Sequence, residues 1–179
     1  MNIKLAATAL GMVVSTLSTQ TFSAGPSTDI KSEYLMTLTA QLDAGQMINN
    51  NLFIYNVPSG SIEGPKIKGK ILPPAADWLA VMPSGVFRLD VRLTILTDDN
   101  QYIYMTYNGV IKSNPTTDKK FEEGKEIIKA EEQYFVTAPT FQTSSPKYAW
   151  LNEIQAVGKQ IELKGGEGSF IRYDIFAIR

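Results

Sequence analysis

The chain has 179 residues, 44% of them apolar, with 17 Lys and Arg against 18 Asp and Glu and with neither His nor Cys. That length suits one domain with its own core, and a formal net charge of -1 offers no basic face to nucleic acid. The missing residue types exclude disulfides, thiolate nucleophiles, a Ser-His-Asp triad, and thiolate or imidazole metal sites.

Met1 to Lys4 make a short, positively charged start. Leu5 to Leu17 carry no charge, and Ser23-Ala24 follow the polar segment Ser18–Thr21. This order is that of a cleavable secretory signal peptide over residues 1–24, cut after Ser23 or after Ala24. The apolar run falls short of the about 20 residues a membrane span needs, so no stable membrane insertion is expected after cleavage. Residues 25–179 then form one domain, expected in the periplasm or secreted. An oxidising compartment suits a chain with no thiols to lose.

From there the pattern has period two. Tyr34, Met36, Leu38, Ala40 and Leu42 alternate with polar residues, and Leu52–Val57 and Ile67–Leu72 are shorter candidates. Val86–Leu96 is the clearest strand, with Phe87, Leu89, Val91, Leu93 and Ile95 on one face and Arg88, Asp90, Arg92 and Thr94 on the other. Asp98-Asp99-Asn100 reads as a hairpin turn into Tyr102–Ile111. Lys112–Lys129 is expected to be a surface excursion, with a short helical turn near Phe121–Ile127. Gln133–Thr137, Ile154–Leu163 and Phe170–Ile178 complete about eight strands, the last two joined by the glycine turn at Gly165-Gly166-Glu167-Gly168. An all-β class follows, and long strands favour a single antiparallel β-barrel over an open sandwich, because closure removes exposed edges.

Three stretches go beyond pattern. They are Glu63–Gly69 running on to Ala76-Asp77-Trp78; Leu89–Arg92 continuing to Thr97–Asp99 and Tyr107–Val110; and Tyr134-Phe135 with Pro139–Thr143, Tyr148–Asn152 and Val157-Gly158. Their order and spacing resemble uncharacterised protein family 0311, also called domain of unknown function 3237, over Tyr34 to the C-terminus. The resemblance implies an antiparallel β-barrel and brings no activity with it. Two positions depart from the family pattern. Pro74-Ala75 stand where Gly-Gly or Pro-Gly usually precedes Ala-Asp-Trp, and Asn100 replaces a hairpin Gly, whose left-handed conformation Asn tolerates.

The candidate ligand-binding residues are Asp77, Trp78, Asp90, Arg92, Trp150 and Asn152. If the Asp90–Arg92 face lines a lumen, Arg92 would hold an anionic oxygen and Asp90 would orient it. Otherwise the two form an ordinary ion pair on a solvated face. Asp77-Trp78, expected in a loop after Pro73-Pro74, would either form a binding rim or serve a turn and plug a barrel end. Trp150 and Asn152 share a face if extended, where they would cover a ring and fix a carbonyl. The plain reading has Trp150 filling core space and Asn152 satisfying a backbone group. The Asp98–Asn100 cluster lacks metal-site spacing, and no metal or cofactor is expected.

The leading functional expectation is an exported barrel that binds a small, partly apolar ligand, anionic if Arg92 lines the lumen. The alternative is a cofactor-independent isomerase, cyclase or lyase that uses Asp, Arg, Asn and Tyr in the barrel pocket, with a carboxylate of raised pKa as acid or base. A third is an interaction protein that works through its surface. Homo-oligomerisation is left open.

Overall fold

The computed structural model describes residues 29–179, so the expected signal segment over residues 1–24 lies outside the described residues. Eleven strands follow in this order: β1 (Ser32–Gln41), β2 (Gln46–Asn49), β3 (Leu52–Asn56), β4 (Gly60–Glu63), β5 (Lys68–Val81), β6 (Phe87–Thr97), β7 (Tyr102–Lys112), β8 (Ile128–Lys129), β9 (Tyr134–Gln142), β10 (Ala156–Lys164) and β11 (Phe170–Ile178). One helix, α1 (Pro115–Glu123), lies between β7 and β8, and a 3-10 turn spans Ala149–Glu153.

Eight strands close an antiparallel ring in the order β5-β4-β1-β11-β10-β9-β7-β6, and β6 returns to β5. The all-β class and the barrel expected from the sequence are therefore the fold. The β2–β3 hairpin extends one wall, with Leu52–Asn56 pairing along Ala76–Ala80 of β5. The β6–β7 hairpin runs in unbroken register from Phe87 opposite Ile111 to Leu96 opposite Tyr102. Asn100 takes φ 60 in its turn, as an Asn can.

The structure differs from the sequence expectation at β5. That strand does not stop near Leu72 but continues to Val81, which places Asp77 and Trp78 in a strand and not in a loop. Pro73 and Pro74 are tolerated because they sit at the register shift between Leu72 and Ala76, exposed, where the ladder to β6 lapses. The segment after β7 also forms its helix earlier than expected, at Pro115–Glu123. Asn114 caps it: its side chain accepts the backbone N–H groups of Thr116 and Thr117 at 3.0 and 3.1 Å, and its own backbone N–H donates to Thr117 Oγ1 at 3.0 Å. Pro115 takes the first helical position, where its missing N–H costs nothing. Gly124 ends the helix at φ 63. A side chain at Gly124 would come within 2.7 Å of Gly166 Cα, so the helix rests directly on the β10–β11 turn. Lys120 donates to Glu132 Oε1 at 2.5 Å, and Asn114 Nδ2 donates to the Glu132 carbonyl at 2.8 Å, tying the helix to the chain that follows it.

The barrel interior has two halves. Met36, Leu38, Ile62, Leu93, Ile95, Ile103, Met105 and Ile175 are buried together at one end, with Leu151 of the 3-10 turn among them. At the other end, under α1 and the β2–β3 hairpin, the inward positions surround a cavity. Leu93→Ala should cost about 2–5 kcal/mol in urea unfolding, as expected for a truncation in a packed core. Arg92→Ala, by contrast, should cost under about 1 kcal/mol, since its pair with Asp90 is exposed.

Candidate functional site

Alternation carries the cavity. On β6, Phe87 and Val91 face it; on β7, Tyr107 and Ile111; on β11, Ile171 and Tyr173; on β1, Ala40. Positions further along the same faces, such as Leu93, Ile103 and Ile175, belong to the packed half. The void has a volume of about 490 Å³. Phe53 and Tyr55 of β3 wall one side of it, and Thr117, Asp118, Phe121 and Glu122 of α1 cover it. Tyr55 and Phe121 meet edge to face at 6.5 Å, joining hairpin to helix.

The polar wall centres on Asp77. Its Oδ1 accepts the backbone N–H of Asp90 at 3.2 Å, and it pairs in register with Tyr55 of β3 and Val91 of β6. Burial pushes its carboxyl up to about 7 against the pull of that N–H, with the nearby Asp90 charge adding to the rise. Tyr107 and Tyr173 are buried and meet edge to face at 5.9 Å. Burial raises both phenols, and the Asp77 charge raises them further. Tyr55 is raised by burial and by Asp77 in the same way. One carboxyl among three phenols is thus the group that titrates near neutrality. Gln133, 8% exposed, and Thr117, 1% exposed, are further buried polar side chains on the lining. No Lys or Arg lies among the described lining residues.

Of the six residues singled out from the sequence, Asp77 alone lines this cavity. Trp78, next along β5, points to the outside, where the Arg92 guanidinium lies 5.4 Å from its ring. Asp90 and Arg92 are also on the outer face and pair at 3.2 Å with about half of each side chain exposed. The physical reason is the alternation itself. Leu89, Val91 and Leu93 take the inside of a barrel this narrow, so their neighbours must face out. Trp150 and Asn152 sit in the 3-10 turn at the opposite, packed end. Trp150 is half-buried against the core with Lys66 at 5.8 Å. Asn152 clamps Thr143, accepting its N–H at 2.8 Å and donating to its carbonyl at 2.9 Å. The structure does not bring these two together with Arg92.

Sequence reading missed Tyr55, Tyr107, Tyr173 and Gln133. Tyr107 continues the inward series Ile103, Met105, and Tyr173 lies between the inward Ile171 and Ile175. Periodicity thus groups both with the apolar residues of their strands, without saying which side of the barrel that face takes. The Asp98–Asn100 turn is likewise accounted for. Asp99 accepts from Thr97, Lys147 and Tyr148 at 2.7, 2.7 and 2.9 Å, and the Lys147 contact above all holds its carboxyl below the usual range.

The family model described as "Protein of unknown function (DUF3237)" matches residues 30–178. A UPF0311 protein of Rhodopseudomonas palustris is 28% identical over 133 residues, 72% of this chain and 86% of that protein. Its crystal structure superposes with a TM-score of 0.75, covering 86% of this chain and all of that one. A UPF0311 protein of Clostridium acetobutylicum is 38% identical over 93 residues, 52% of this chain and 58% of its own length. A β-barrel-like protein of Acinetobacter baumannii, 28% identical, superposes with a TM-score of 0.67 over 87% of this chain and all of that one. With the family model covering residues 30–178 and the barrel shared with solved relatives, the chain belongs to the DUF3237 family of proteins of unknown function.

Proposed function

We propose that the barrel binds a small, mostly apolar molecule in the cavity beneath α1. The observation that carries this reading is the contrast between the two halves of the interior. One is packed solid; the other keeps an open volume of about 490 Å³ lined mainly by Phe, Leu, Ile and Val, with a few convergent polar groups. That combination is the usual form of a small-molecule site. An anionic ligand paired to Arg92, as the sequence suggested, finds no support in this geometry. Arg92 is outside, and the ionisable lining is Asp77, Asp118, Glu122 and tyrosines.

A second reading has its own observation. Asp77, held near 7 in an apolar cavity beside three phenols, suits proton transfer at neutral pH. This is the cofactor-independent isomerase, cyclase or lyase reading, with Asp77 as acid or base and the tyrosines as donors to a developing oxyanion. The same reading of the protein places it outside the cytoplasm, supported by the uncharged run Leu5–Leu17 behind Lys4.

A neutral solvatochromic dye such as Nile red should bind the wild-type protein with a blue-shifted emission, and Val91→Trp, which fills the cavity, should abolish it. Equal binding by both proteins would place the dye elsewhere and overturn the binding reading. Asp77 also sets a pH dependence. Its folded pKa lies above the unfolded value, so the folded state holds the extra proton between about pH 4 and 7. Stability should therefore fall as pH rises through that window and level off above it, by about 2–4 kcal/mol. Asp77→Asn should flatten that part of the curve in urea unfolding. Any turnover should show a break near pH 7 that this variant removes. Intact-mass measurement on envelope-fraction protein should find a chain starting near Ala24 or Gly25.

A further inference from the structure

The cavity has a second polar anchor whose direction is fixed by the protein. Gln160 is fully buried, and its Nε2 donates to the Ile128 carbonyl at 2.9 Å. Turning that amide over would set two acceptor oxygens against each other, so its Oε1 must face away from Ile128. There it accepts from Gln133 Nε2 at 3.4 Å. Gln133 is thereby oriented too, with one N–H of its Nε2 engaged and its oxygen left over. No described residue donates to Gln133 Oε1, yet among the described residues no buried side-chain polar atom is sealed without a partner. The oxygen therefore keeps contact with open space, and the open space beside Gln133 is the cavity.

Three amide and carbonyl groups, Ile128, Gln160 and Gln133, thus act as a relay that ends on one unpaired acceptor. A neutral acceptor in an apolar cavity asks for a donor, and leaving it unmatched has a cost. A carboxylate or phosphate would meet this oxygen, Asp77, Asp118 and Glu122 with no cation to offset them. We infer that Gln133, oriented by Gln160, selects the ligand: an uncharged, mostly apolar molecule that presents a hydroxyl or N–H to the Gln133 carbonyl oxygen. The inference rests on the cavity being the binding site proposed above.

Three probes that share one naphthalene ring test it: 1-naphthol, 1-methoxynaphthalene and 1-naphthoate, titrated into the full-length mature protein by calorimetry. The expected order is 1-naphthol tighter than 1-methoxynaphthalene by about tenfold, the size of one hydrogen bond kept or lost in a buried site, with 1-naphthoate the weakest. In Gln133→Met, which keeps the length and apolar bulk of the side chain, the preference for 1-naphthol over its ether should shrink to near unity. A wild-type protein that binds 1-naphthol and its ether equally overturns the inference and leaves the cavity reading standing. So does a Gln133→Met variant that keeps the full preference, which would make Asp77 the acceptor of the ligand hydroxyl instead. Failure of all three probes to bind overturns both. The wild-type comparison needs no variant, so the inference stays falsifiable even if Gln133→Met is poorly folded.

Discussion

A ring of eight strands exists here because one strand can be shared three ways. β5 gives the edge of its first half to β4, the same edge of its second half to β3, and both halves of its opposite edge to β6. Without the β5–β6 ladder the sheet would be an open ribbon with two long edges, which a chain of this apolar content could not leave exposed safely. Once the ring is closed, every strand has an inside and an outside, and the side-chain alternation of each strand is decided at a stroke. The position of Asp77 inside and of Trp78, Asp90 and Arg92 outside follows from that closure.

Closure also explains why the cavity sits where it does. The 3-10 turn brings Leu151 into the packed end, where branched and long side chains of β1, β6, β7 and β11 fill the bore. At the other end the bore holds smaller residues such as Ala40, Val57 and Val91, spaced by large rings that lie against the wall. No side chain fills the middle. The helix and the β2–β3 hairpin, which lie outside the ring of eight, cover what the ring leaves open.

The hairpin of β6 and β7 was legible because both strands alternate cleanly and their turn carries Asp and Asn. Its interior face was legible in content but not in direction. Period two separates Leu89 and Val91 from Asp90 and Arg92 without saying which set a barrel turns inward, and charged residues were credited with a lumen that the apolar ones occupy. β5 was obscured by Pro73-Pro74, which normally argue against a strand; only the register shift shows how a strand passes through them. Asp77 was therefore chosen for its chemistry and given the wrong local structure. The tyrosines of the polar wall were hidden for the opposite reason. They are ordinary strand formers, and what distinguishes Tyr107 and Tyr173 is a shared carboxyl neighbour, Asp77, 30 positions away in sequence for the nearer of them, which no local pattern contains.

The capping of α1 has a consequence for recognition. A helix beginning at the mouth of an otherwise all-β barrel would be the natural place for phosphate or carboxylate to be caught, since its first backbone amides point outward with the positive end of the helix dipole behind them. Asn114 Oδ1 already occupies the amides of Thr116 and Thr117, and Pro115 has none to give. The electropositive pole of the only α-helix among the described residues is thus consumed by its own cap. A guest arriving at this opening meets a neutralised end, and charge gives it no reason to stay.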